Sequence, residues 1–435
     1  MFFYASFFFT SIFIIIQIIF FLVYIPLVMM YNYIGYCSVL SKGVFPFMCA
    51  EKKKFILDLP LKVILTEDGT SHFLSHKKQL LTLQLADNRS AHGVSLEHFS
   101  PGSLQNMILL DYISKMEISM PEFVSHRQEV MDLSKLIVFS ILYKQFDREI
   151  YSEIIQCECV RLYNRSHPSA LIDEKTSIPE KQLRATLAMK DATIQAARKT
   201  ILDPVWKSIM DNHEYSPEEK NVYLLMTEKF LNRLSLMNWY IIIKFYKEDG
   251  FAEILSLLRQ QLANYMTKSK VAEYISVMVM ELALNNENNN VKKAAKYLYQ
   301  GIENADTLIF DPKVRSEIVK ELQRRHELVF ISWTLGGGSM SIGKQGLLQI
   351  TLFNKDDEFQ EVKENIESKM ASSNKKKSLI DFYRQMPEGQ EGTDLGLYYL
   401  SYLEDACKKV NIKFESLVNQ SSTSDLTIIN LKFNF

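Results

Sequence analysis

Residues 1–41 carry no charged side chain, and Phe7 to Met30 within them is almost wholly apolar. About 20 apolar residues suffice to cross the ~30 Å hydrocarbon core of a bilayer as a helix. No basic residue precedes the run, and no small-residue cleavage pattern closes it cleanly, so a cleaved signal peptide fits poorly. The first positive charges follow it, at Lys42 and then Lys52, Lys53 and Lys54. By the positive-inside rule the body of the chain is then cytoplasmic, tethered to the inner membrane by residues 1–49 as a transmembrane helix. Tyr31, Tyr33 and Tyr36 suit the interface. A competing reading starts the chain at Met48, whose MCAEKKKFILDLP resembles the opening of a soluble protein.

The remainder is ordinary globular sequence. Among 435 residues, 50 Lys and Arg nearly cancel 51 Asp and Glu, so no electrostatic footprint for nucleic acid exists. Cysteines stand at 37, 49, 157, 159 and 407 without the spacing or neighbouring histidines of a zinc site, which reads as reduced thiols.

Residues 51–165 read as a small α+β input or interaction domain. Alternating apolar runs broken by Glu67-Asp68-Gly69 predict a β-hairpin. Pro101-Gly102 predicts a turn before a helix near Ser103 to Lys115, and apolar residues three and four apart predict helix from Ser125 to Tyr163. The polar, proline-containing stretch Asn164 to Pro179 is the best linker. Residues 180–250 predict a helical region able to dimerise, with Ser216-Pro217-Glu218-Glu219 as a capped helix start. Leu236 to Tyr246 fits either a helix or an edge strand.

Three segments of residues 251–435 carry chemistry. In VAEYISVMVMELALNNENNN, Glu281 and Asn285 stand four apart, on one face of one helix. Next, LVFISWTL and LLQITLFNKDDEF flank a Gly-rich connection and predict an antiparallel hairpin; a tight loop accounts for Gly336-Gly337-Gly338. Finally Gly392, Thr393, Asp394, Leu395, Gly396 and Leu397 open a helix, followed by two strands that run to the last residues.

In this order the segments resemble the N-box, G1 box and G2 box of the GHKL superfamily, the ATP-binding domain of histidine kinases and heat-shock chaperones. The resemblance implies an α/β two-layer sandwich at the C-terminus, with ATP and Mg²⁺ as cofactors. By it, Glu281 orients a water or acceptor and Asn285 holds the metal. Asn354 and Asp356 stand in the G1 box, and Gly392, Thr393, Gly396 and Leu397 shape the phosphate loop. Thr423 or Thr427 sits by the adenine, and Lys375 to Lys377 lie in the lid. Asn354 replaces the family's adenine-binding Asp, Asp356 and Glu358 replace glycines, and Asp394 replaces the central glycine. Asn354 can still offer its amide oxygen, while Asp356, Glu358 and Asp394 set negative charge against an anionic nucleotide. His213-Glu214, the one His-acidic pair before the N-box, sits at a helix start too near Glu281 to be a phosphoacceptor.

The functions in view are a signalling protein with Mg-ATP-dependent phosphoryl transfer, a catalytically inactive regulatory or protein-interaction module of the same superfamily, and a helical scaffold. Protein partners and a homodimer accompany each.

Overall fold

The computed structural model describes residues 57–435 except 77, 87–88, 247, 249, 301–304, 337–345, 356–394 and 421–425. The chain divides into two compact units, one holding residues 153–266 and the other 55–152 with 267–435.

The second unit is built on one antiparallel sheet of eight strands. These are β1 (Leu57–Leu65), β2 (Leu81–Gln84), β3 (Ser90–Phe99), β4 (Ile113–Met120), β5 (Val329–Gly336), β6 (Leu347–Lys355), β7 (Lys413–Gln420) and β8 (Leu426–Asn434), in the order β2-β3-β1-β4-β5-β6-β8-β7. Alternation along each strand gives the sheet two unlike faces. Val63, Met116, Trp333, Ile350 and Leu431 are register partners across five strands and are fully buried. At roughly 1.5–3 kcal/mol for each fully buried large apolar side chain, this one row outweighs any of the unit's exposed ion pairs, worth ~1 kcal/mol or less. The next row on the opposite face is polar: Lys62, Glu117, Ser332, Thr351 and Asn430. Pro60 lies inside β1, an internal strand, and the β1–β3 register slips between Asp58 and Leu61, as a residue without an N–H requires.

Short helices fill the connections: α1 (Glu67–Ser75) after β1 and α2 (Pro101–Leu109) before β4. Long helices dominate from residue 127 onward. α3 (Arg127–Ile154) and α9 (Phe251–Leu298) each run from one unit's residues into the other's. α10 (Pro312–Arg325) is capped by Asp311 and buries Ile318 and Leu322 against Val291, Ala294 and Ala295 of α9. α11 (Leu395–Lys409) precedes β7.

The first unit is helical: α4 (Glu158–Ser166), α5 (Glu180–Ala188), α6 (Asp191–Asp211), α7 (Pro217–Asn232) and α8 (Leu236–Phe245), with the ends of α3 and α9. Helix α5 packs on α8, and α6 packs on α7 and α8. Trp206 of α6 donates its indole N–H to Thr227 of α7 at 3.0 Å. Ser216 and Glu219 form the expected capping box at the start of α7.

Several expectations are corrected. The two-layer ATPase sandwich preceded by a separate α+β domain does not form. Pairing of β4 with β5 merges the N-terminal strands with the C-terminal ones into a single antiparallel sheet, and helices make up most of the chain after residue 125. Glu67-Asp68-Gly69 is no hairpin turn but the first turn of α1, capped by Thr66, and β1 pairs with β3 and β4 instead of β2. The helix after Pro101 stops at Leu109, and Leu236 to Phe245 is helix. Among the described residues no helix is long and apolar enough to cross a membrane. The transmembrane helix therefore has no counterpart there, and Phe7 to Met30 lies outside them.

Candidate functional site

Helix α9 buries Ala283, Glu287, Val291 and Ala294, spaced three and four apart, with Leu282 and Ala295 beside them. Glu281 and Asn285 flank this stripe, half-buried. The Glu281 carboxylate accepts a hydrogen bond from Arg127 Nη2 of α3 at 2.6 Å, with the glutamate side chain 17% exposed. Burial pushes the Glu281 carboxyl above its ordinary range, and the Arg127 guanidinium pulls it back.

Two further contacts extend this seam. About two turns before Glu281 on α9 and two turns after Arg127 on α3, Lys135 and Glu273 pair at 2.5 Å, with the lysine side chain only 8% exposed. Beside them Asp132 accepts from Gln128 at 2.9 Å. Burial raises its carboxyl to about 6; Lys135 and the Gln128 bond oppose the rise, while Glu273 and Glu129 add to it. Past Asn285, Glu287 is completely buried. Its Oε2 accepts the backbone N–H groups of Phe123 at 2.5 Å and Val124 at 3.1 Å, and Oε1 pairs with Arg315 of α10. Arg315 also reaches Glu122 at 3.4 Å. Burial raises the Glu287 carboxyl, against the Phe123 amide and Arg315. Two amides and a guanidinium satisfy a carboxylate that could not otherwise remain charged there.

The other sequence-marked residues are dispersed. Asn354 of β6 and Thr427 of β8 are register partners across the pair. Gly396 and Leu397 fall in the first turn of α11. Asp356, Glu358, Lys375 to Lys377, Gly392, Thr393 and Thr423 lie outside the described residues. The structure thus brings together Glu281 with Asn285, and Asn354 with Thr427. His213 sits in the connection between α6 and α7, where the Glu214 N–H is held by Asn212 at 2.8 Å. Sequence reasoning missed Arg127, Asp132, Glu287 and Arg315. One signal was available: Glu287 continues the apolar stripe of α9, and a carboxylate on a buried stripe demands partners.

A family model matches residues 52–435, a span that contains every described residue. The chain belongs to the DUF8084 family. That family is described as one of unknown function. The chain is also 36% identical, over 389 residues, to a protein of Treponema pallidum (strain Nichols) described as uncharacterized. The similarity covers 89% of this chain and 100% of that one. No solved structure matches. Membership in DUF8084 displaces kinase and GHKL ATPase as descriptions of the protein.

Proposed function

We propose that this DUF8084 member is a catalytically inactive regulatory or protein-interaction module, acting by association with protein partners. The observation that carries this reading is the engagement of Glu281. A general base needs a lone pair aimed at its substrate, whereas this carboxylate is spent on Arg127 of a neighbouring helix. Glu287 and Glu273 on the same helix are bound to Arg315 and Lys135 in the same way. The acidic residues of α9 thus act as fasteners between elements. On the polar row of the sheet Gln349, Thr351 and Asn430 are joined to one another by hydrogen bonds of 2.9–3.3 Å, with Thr351 buried, so these groups too serve the cohesion of the fold.

The test is incubation of the full chain with Mg-ATP, following phosphate release and melting temperature, beside Glu281→Gln and an Arg127→Met/Glu281→Leu double variant. The reading expects no phosphate release from any form, and a double variant folded as the parent. Phosphate release by the parent that Glu281→Gln abolishes without unfolding would overturn it.

A further inference from the structure

The hairpin expected around Gly69 is a helix, and that change alters what its histidines can do. In a strand, His72 and His76 would be spread apart along the chain. With His72 in the last turn of α1 and His76 as its C-cap, they stand one turn apart, both exposed, with ring centroids 4.3 Å apart and planes 41° from parallel. Helical i, i+4 spacing is what lets two side chains reach a common point.

Further contacts prepare the pair as ligands. The Nδ1 of His76 lies 2.8 Å from the His72 carbonyl oxygen. A carbonyl only accepts, so Nδ1 carries the proton and Nε2 keeps its lone pair. Metal-binding histidines characteristically have one ring nitrogen fixed by such a bond while the other faces the ion. Ser75 Oγ reinforces the arrangement, 3.1 Å from the same Nδ1 and 2.8 Å from the same carbonyl oxygen. The His72 ring stacks on Tyr112, 4.6 Å between centroids and 26° from parallel, which restricts its rotation.

The helix is itself anchored. Thr66 donates its N–H to the Tyr112 carbonyl at 3.0 Å and its hydroxyl to the Asp111 carbonyl at 2.6 Å. At Gly69 a Cβ would come within 2.2 Å of the Tyr112 carbonyl oxygen. The backbone of α1 therefore lies against the residue preceding β4, and sites on such rigid elements bind with little reorganisation.

We propose that His72 and His76 form a two-histidine site for a borderline divalent transition metal such as Zn²⁺ or Ni²⁺. Imidazole nitrogen selects this class over Mg²⁺ and Ca²⁺, which take oxygen. Metal–nitrogen bonds of about 2.0–2.1 Å draw the two Nε2 atoms onto one ion. Among the described residues no group of three or more His, Cys, Asp or Glu surrounds the pair, so water completes the coordination. The ion would staple the last turn of α1 and leave open positions for a donor from a partner. This inference is independent of the non-catalytic reading above.

The experiment is isothermal titration of the full chain with Ni²⁺ and with Zn²⁺, beside His72→Ala, His76→Ala and a His213→Ala control. Expected are one ion per chain, affinity at least tenfold weaker in each of the first two variants, and no change in the control. Circular dichroism verifies that the variants fold. Cu²⁺ added to the parent should give an electron paramagnetic resonance spectrum of two imidazole nitrogens, reduced to one in either variant. Unchanged titrations in His72→Ala and His76→Ala, or an equal loss in His213→Ala, would overturn the proposal.

Discussion

Arg127 and Glu281 are 154 residues apart in sequence and 2.6 Å apart in space, joining the start of α3 to the middle of α9. The arginine side chain is 42% exposed, which weakens the pair, while the glutamate is largely covered. Arg127→Met should therefore cost about 1–2 kcal/mol in urea unfolding, between the values for surface and buried pairs. Arg127→Met/Glu281→Leu should recover most of that loss, because no charge is left stranded. A double variant weaker than both singles would refute this account.

Glu287 should matter more. Glu287→Ala leaves the Phe123 and Val124 amides without their acceptor and Arg315 without its buried partner. Loss of one member of a buried pair costs about 3–5 kcal/mol. Expected is a fall in the urea midpoint clearly larger than that for Glu281→Ala, measured on the same day and slope.

Asp132 introduces a pH dependence of defined sign. Its carboxyl is raised by burial from 3.8 to about 6, so between those values the folded state holds a proton that the unfolded chain has released. Its contribution to stability is complete below about pH 4 and is lost as pH rises through about 6. The total is on the order of 2–3 kcal/mol. Asp132→Asn should flatten the stability profile over pH 4–7 and leave the variant the more stable protein at pH 7.5. An unchanged slope in calorimetric or urea titrations would contradict it.

Gly69→Ala tests the seat of α1. The added methyl meets the Tyr112 carbonyl oxygen at 2.2 Å, so helix or strand must shift. Overpacking of this kind costs about 1–3 kcal/mol. Gly102→Ala, whose Cβ would meet only Ser100 Oγ at 3.8 Å, serves as control and should leave the melting temperature nearly unchanged.

Elements whose cause is local were readable in the residues. The Ser216 box, the β5–β6 hairpin, and the succession of α11, β7 and β8 all follow from caps, alternation and periodicity within a short window. Glu67-Asp68-Gly69 misled for the same reason. Acidic residues and a glycine signal a turn, yet acidic residues also favour the first turn of a helix, and here the glycine is required by the carbonyl of Tyr112. That carbonyl is invisible in a window around Gly69.

The sequence by itself determined the helical middle, the strand-forming ends and the stripe of α9 that Glu281 and Asn285 flank and Glu287 continues. Only tertiary structure decided that β4 pairs with β5, making one sheet of strands drawn from both sides of that middle. It likewise decided that Glu281 meets an arginine and not a ligand. Local propensity acts over a few residues and is written in each segment. Strand pairing and charge pairing depend on which surfaces burial brings together, and burial is a property of the whole chain.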